Sequence, residues 1–154
     1  MACKQGKSVN QCIEIVRKTS KVKVHDPGTG KSAILLNPDR VQVRRIHMDK
    51  CLAPVGTTAA DFVVSKPKVV DVIIELKGKN VDHAAEQVDS TWAFWSRHTE
   101  HEPNQSIGAW IVCSEYPRAS LKVNRYREKF RARGVILLFN GDKRAFSDFV
   151  PKRA

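Results

Sequence analysis

Long apolar runs are missing from this chain. No stretch approaches the ~20 residues needed to cross a bilayer, and the opening MACKQGKSVN lacks the apolar core of a signal peptide. No amphipathic basic helix stands apart from a core-facing pattern, which weighs against attachment to an anionic membrane surface. The cysteines Cys3, Cys12, Cys51 and Cys113 form no Cys-x-x-Cys pair and follow no regular spacing. Neither a zinc knuckle nor a disulfide framework is indicated, and free thiols in a reducing compartment are expected. Internal repeats and low-complexity segments are lacking too. Acid is in short supply, with 16 Asp and Glu against 27 Lys and Arg, a net charge of +11 in 154 residues. Such an excess points to a polyanionic partner, nucleic acid first and a membrane surface second. The expectation is a soluble, cytoplasmic protein with one domain over residues 1–154, large enough to bury about two-thirds of its unfolded surface.

What the chain does have is a strong central strand, Val69 to Gly78 (VVDVIIELKG). Alternation puts Val70, Val72, Ile74 and Leu76 on one apolar face, and Asp71, Ile73, Glu75 and Lys77 on the other. Glu75 and Lys77 therefore point the same way, at the end of a strand apolar enough to lie inside a sheet. Buried charges are costly unless they are paired or hold a metal. A Glu-x-Lys triplet also arises by chance, so its neighbours have to carry the argument.

Before that strand, Val9, Cys12, Ile13 and Val16 recur at helical spacing and predict a helix over about Ser8 to Lys18, capped by Ser8, with Glu14 solvated on its far side. PGTGKS at Pro27 to Ser32 looks like a phosphate-binding loop. His25 stands where the pattern needs its first Gly, and a β-rich run follows where a helix should begin. The segment is read as a hairpin turn between KVKV and AILL. Val41 to Met48 and Ala60 to Val64 are further strands, with Asp49 just after the first and Asp61 at the start of the second.

After the central strand the period becomes helical. From Asn80 to Arg97, Val81, Ala84, Ala85, Val88, Trp92 and Trp95 share a face, opposite an acidic solvent side of Asp82, Glu86 and Asp89. Asn80, Gln87 and Thr91 line the flank between. The two tryptophans could stack on bases, but they continue the apolar stripe and read as core. His98 and His101 read as solvated loop residues. Ile107 to Cys113 is a strand, Ala119 to Ala132 a helix ended by Gly134, and Val135 to Phe139 a buried strand before an Asn140-Gly141 turn. Arg118, Lys122, Arg125, Lys129 and Arg133 make a basic stripe on that second helix, open to two readings, a solvated surface or a phosphate track.

Asp61, then Glu75-Leu76-Lys77, then Gln87 on the following helix together resemble the PD-(D/E)XK nuclease superfamily, and the resemblance covers most of the chain. ELKGKNVDHAAEQ and NPDRVQVRRIHMDKCL resemble in particular a branch of small uncharacterised bacterial and phage-type proteins. Two departures stand out: Ala60 precedes Asp61 where the superfamily carries proline, and Thr91 stands where one exonuclease-like subgroup has tyrosine four residues after Gln.

The resemblance implies an α/β fold with a restriction endonuclease-like core, a central mixed β-sheet flanked by helices. It also implies hydrolysis of DNA phosphodiester bonds, on branched or duplex DNA, with Mg²⁺ or Mn²⁺ as cofactor. Asp61 and Glu75 supply carboxylate oxygens suited to such a hard cation, which would offset charge on the transition state and acidify a bound water. Lys77 would orient that water or stabilise developing charge. The Leu76 carbonyl is implied as a third ligand, Gln87 as a helper, and Lys79, Arg118, Lys122, Arg125 and Lys129 as nucleic-acid contacts. A homodimer, as in Holliday junction resolvases of this superfamily, would suit a cut on both strands. The competing expectation is the same fold acting as a nucleic-acid-binding module without turnover, and Asp49 is left open between a site role and a loop cap.

Overall fold

The computed structural model describes residues 8–76, 80–113 and 120–152. In chain order the elements are α1 (Val9–Cys12), β1 (Ile13–Val16), β2 (Lys21–His25), β3 (Ser32–Leu36), β4 (Val43–His47), β5 (Phe62–Lys66), β6 (Val70–Leu76), α2 (Val81–Trp95), β7 (Ile107–Val112), α3 (Leu121–Ala132), β8 (Leu137–Phe139) and β9 (Lys143–Ala145). A 3-10 turn, Phe146–Phe149, follows β9. The protein is mixed α/β, with a six-stranded sheet in the order β1-β4-β5-β6-β7-β8 and a three-stranded sheet in the order β2-β3-β9. Within the large sheet β1, β4, β5 and β6 run antiparallel to one another in turn, while β7 and β8 run parallel to β6.

β6 is buried at every position, as its apolar sequence requires of a central strand. Its two faces meet different layers. Ile73 packs with Ala84, Val88 and Trp95 of α2 and with Val123 and Phe130 of α3. Val70, Val72, Ile74 and Leu76 pack instead with Val22, Val24, Ala33 and Leu35 of the small sheet and with Phe146 and Phe149. The large sheet thus has helices on one face and a second sheet on the other, which corrects the expected sheet flanked by helices. Gly108 on β7 lies at the closest approach on that second face, where a Cβ would come within 2.6 Å of the Phe149 Cβ. Any side chain there would push the last turn off the core.

The long elements lie where periodicity places them. The first helix does not: it ends at Cys12, and Ile13–Val16 form an edge strand against β4. Ile13 and Val16 suit strand as well as helix, and pairing with β4 decides between them. Glu14, expected to be solvated, accepts from Arg45 at 3.1 Å and bonds His47 across that pair. Its pKa falls to about 2, chiefly through the Arg45 hydrogen bond and then that of His47. The expected free thiols are also corrected, since Cys12 and Cys51 form a disulfide that ties the end of α1 to the kinked segment Met48–Leu52. Cys113 is a buried thiol that donates to Asn140 Oδ1 at 2.8 Å, while Cys3 lies outside the described residues. Disulfides mark oxidising surroundings more often than the cytoplasm. No helix among the described residues is long and apolar enough to cross a membrane.

The PGTGKS segment is a hairpin turn, as expected. Asp26 accepts from the Gly28 N–H and the Thr29 hydroxyl, both at 3.0 Å, and Gly30 takes a positive φ of 72°. Its donors serve the turn itself rather than a phosphate.

Candidate active site

Antiparallel pairing of β5 with β6 sets Phe62 opposite Ile74, so Asp61 falls next to Glu75 where the ladder continues. Backbone N–H groups at the two strand ends donate to both carboxylates. The Asp61 N–H donates to Glu75 Oε1 at 3.1 Å, and the Leu76 N–H donates to Asp61 Oδ2 at 2.9 Å. Glu75 is only 2% exposed. Burial pushes the Asp61 carboxyl above its ordinary range; the Leu76 N–H and a hydrogen bond with Glu75 act downward, and the charges of Asp26 and Asp49 add to the rise. The charges of two further acids thus act on Asp61, that of Asp26 from the hairpin turn and that of Asp49 from the kink after β4.

The approach to Asp61 is held from both sides. Past the end of β4 the ladder continues, with the Met48 N–H donating to the Asp61 carbonyl at 3.0 Å and the Asp49 N–H to the Ala60 carbonyl at 3.1 Å. From α2, Gln87 Nε2 donates to the Ala59 carbonyl at 3.1 Å, and Thr91 Oγ1 accepts from the Ala60 N–H at 2.7 Å. Gln87 and Thr91 stand four apart on one face of α2, and Asn80 caps that helix by accepting from the His83 N–H at 3.0 Å. Gln87 thus positions the segment before Asp61. Thr91 does the same work, and its place on the helix flank was the signal for it. The influence of Asp26 on Asp61 had no signal, because Asp26 follows a strand of the other sheet.

The opposite end of β6 holds a second buried carboxylate on the same face, and it is saturated. Asp71, 0% exposed, accepts from Trp95 Nε1 at 2.8 Å and Gln105 Nε2 at 2.6 Å, and bonds His101 Nδ1 at 2.7 Å. The loop histidines are therefore not solvated. His98 stacks on Trp95 and its Nδ1 accepts from the Glu100 N–H at 3.1 Å. Burial holds its pKa below the ordinary value, with Arg44 acting the same way and Glu100 against it. Trp95 is core, as its stripe requires, and the Arg133 guanidinium covers the ring of Trp92 at 4.0 Å.

Lys77, Lys79 and Arg118 lie outside the described residues. The rest of the basic stripe on α3 faces the side of α2 expected to meet solvent. Lys122 pairs with Glu86, while Lys129 and Arg133 pair with Asp89 at 3.0 and 2.6 Å, and the Ser120 hydroxyl donates to Asp82 at 2.7 Å. Burial acts upward on Asp89, but Arg133 and Lys129 outweigh it and leave its pKa lowered. Arg125 is exposed.

Two carboxylates and a nearby strand-end carbonyl are hard oxygen donors that suit Mg²⁺ or Mn²⁺, and the acids around them leave negative charge that a cation would relieve. Against that, no group of three or more His, Cys, Asp or Glu side chains among the described residues is arranged to hold a metal ion. No family model matches the chain, and no curated protein or solved structure matches it either. Function therefore has to be argued from the chemistry of the site.

Proposed function

We propose that this protein is a metal-dependent nuclease that hydrolyses phosphodiester bonds within DNA. One observation carries the reading: Asp61, just before β5, and Glu75, on the antiparallel β6, stand side by side, the Asp61 N–H donating to the Glu75 carboxylate and the Leu76 N–H to the Asp61 carboxylate. The order of elements supports it as well. Three antiparallel strands β4-β5-β6, a crossover through α2, and β7 parallel to β6 form a central mixed sheet, which is compatible with the proposed core.

In this reading Asp61, Glu75 and the Leu76 carbonyl hold the cation. When bound, Mg²⁺ supplies charge to a phosphoryl oxygen and acidity to a water. The chain's own part is to keep its carboxylates in place. Each gives one oxygen to a backbone N–H, which fixes its orientation. Gln87 and Thr91 hold the backbone that presents Asp61. Lys77, two residues after Glu75 in the sequence and outside the described residues, is assigned the role of orienting water or stabilising developing charge.

The test is cleavage of linear, single-stranded and branched DNA with Mg²⁺ or Mn²⁺, comparing wild type with Asp61→Ala. Metal-dependent cutting that the substitution removes is the expected result. Equal cutting by the variant would mean that the site is misassigned. A second reading, a nucleic-acid-binding module without turnover, is favoured by the lack of a three-residue metal cluster among the described residues. Binding of DNA with no cutting of any substrate would select it.

A further inference from the structure

The net charge of +11 has to be expressed somewhere on the surface, and of the basic stripe on α3, Lys122, Lys129 and Arg133 are spent on Glu86 and Asp89. The small sheet is different. Alternation along β2 buries Val22 and Val24 and turns Lys21, Lys23 and His25 outward. Through the register, Lys23 stands beside Ile34 and Ile34 beside Lys143, so the three strands share one outward face. No outward-facing residue of these strands is acidic, and among the described residues none of Lys21, Lys23 and Lys143 has an ion-pair partner.

We propose that this outward face of the β2-β3-β9 sheet is the surface on which the phosphate backbone of duplex DNA docks. The proposal takes its duplex from the nuclease reading and rests on charge complementarity, Lys21, Lys23 and Lys143 lying on one face without an acidic neighbour on these strands. Beside β2 an open depression of about 400 Å³ is lined by Lys23, His25, Arg45, His47, Phe62 and Glu14. Arg45 closes the free edge of β2 by donating to the Lys23 carbonyl at 2.6 Å, which blocks strand addition there and keeps the face itself available. From Lys21 to His25 the strand runs about 13 Å, the axial length of about four phosphates of one DNA strand.

The test is fluorescence anisotropy with a fluorescein-labelled linear DNA duplex, without divalent metal, between about 50 and 200 mM salt. Lys21→Gln/Lys23→Gln/Lys143→Gln should lower affinity on the order of 100-fold near 0.1 M salt and flatten the logarithmic salt slope by about 2 to 3, at about 0.9 for each phosphate no longer neutralised. Arginine at the same three positions should keep the wild-type values. Lys122→Gln/Lys129→Gln should bind within about twofold of wild type, its cations being already paired. Far-ultraviolet circular dichroism on each variant checks that the fold survives. If the sheet variant binds like wild type while the α3 variant loses affinity, the proposal is overturned and the nuclease reading stands. Sheet-dependent binding with no cutting by wild type keeps the surface and removes the nuclease. If wild type ignores the duplex at low salt but sediments with phosphatidylserine vesicles through these lysines, the occupant is a membrane and the proposal fails.

Discussion

The two ends of β6 present the same group on the same face with opposite surroundings. Asp71 is met by an indole, an imidazole and an amide, and its oxygens are taken. Glu75, four residues on, is met by Asp61, with Asp26 and Asp49 acting on that partner in turn. A buried carboxylate surrounded by donors holds loops and helices together. Asp61, with the charges of Asp26 and Asp49 acting on it, is held less readily as an anion, which a cation would relieve. Both ends carry a buried carboxylate, an aspartate at one and a glutamate at the other, so it is the neighbours that separate the structural carboxylate from the one proposed for chemistry.

The sharpest way to break this contrast is to remove each carboxylate in turn. Asp61→Ala and Glu75→Ala should each lower Mg²⁺-dependent DNA cleavage on the order of 10³-fold, measured as single-turnover rates, with metal-free DNA binding retained or tightened. Asp71→Ala should instead cost about 3 kcal/mol of stability in a urea melt, because three polar groups lose their partner inside the core. Loss of cleavage without loss of stability in the Asp71 variant would erase the distinction.

A cation should act on one end alone. Mg²⁺ or Mn²⁺ at about 100 times its dissociation constant should stabilise wild type by about 2.7 kcal/mol in a thermal melt, and should leave Glu75→Gln unmoved. Isosteric neutralisation should then give opposite signs. Asp61→Asn removes repulsion and should raise metal-free stability by about 1 kcal/mol, whereas Asp71→Asn should lower it, having set an amide N–H donor against donors.

The smallest effect is one of pH, at the Asp71 end. Because the folded state holds the His98 pKa below the ordinary value of 6.5, the unfolded chain takes up the proton first. The histidine should contribute nothing to the pH dependence well above 6.5, lower stability as pH falls below it, and level off once the folded pKa is passed. His98→Gln should flatten this part of the profile of urea midpoints against pH.

Much of this was legible in the residues. The apolar alternation of β6, the stripe of α2 and the Asn140-Gly141 turn are local patterns, and the structure has each of them. Asp61 and Glu75 could be put together because adjacent strands bring their ends together. What could not be read depends on contacts between distant segments. The acidic side of α2 and the basic side of α3 each look like solvent faces until the helices meet. Cys12 and Cys51 are 39 residues apart with no motif around them, and Asp71 looks no different from Glu75 until His101 and Gln105 fold over it.

The pairing of β3 with β9 has a consequence in time. It joins Ile34 to Lys143, across most of the chain, whereas the hairpin of β2 with β3 and the meander of β4, β5 and β6 close over short loops. Contacts of such wide separation form late, since their loop closure becomes favourable only when the intervening chain is already compact. The large sheet and its acids should therefore assemble before the small sheet is completed. A stalled folding intermediate would carry the carboxylates but lack the finished basic face, and so would be poor at holding a polyanion until its last strand docks.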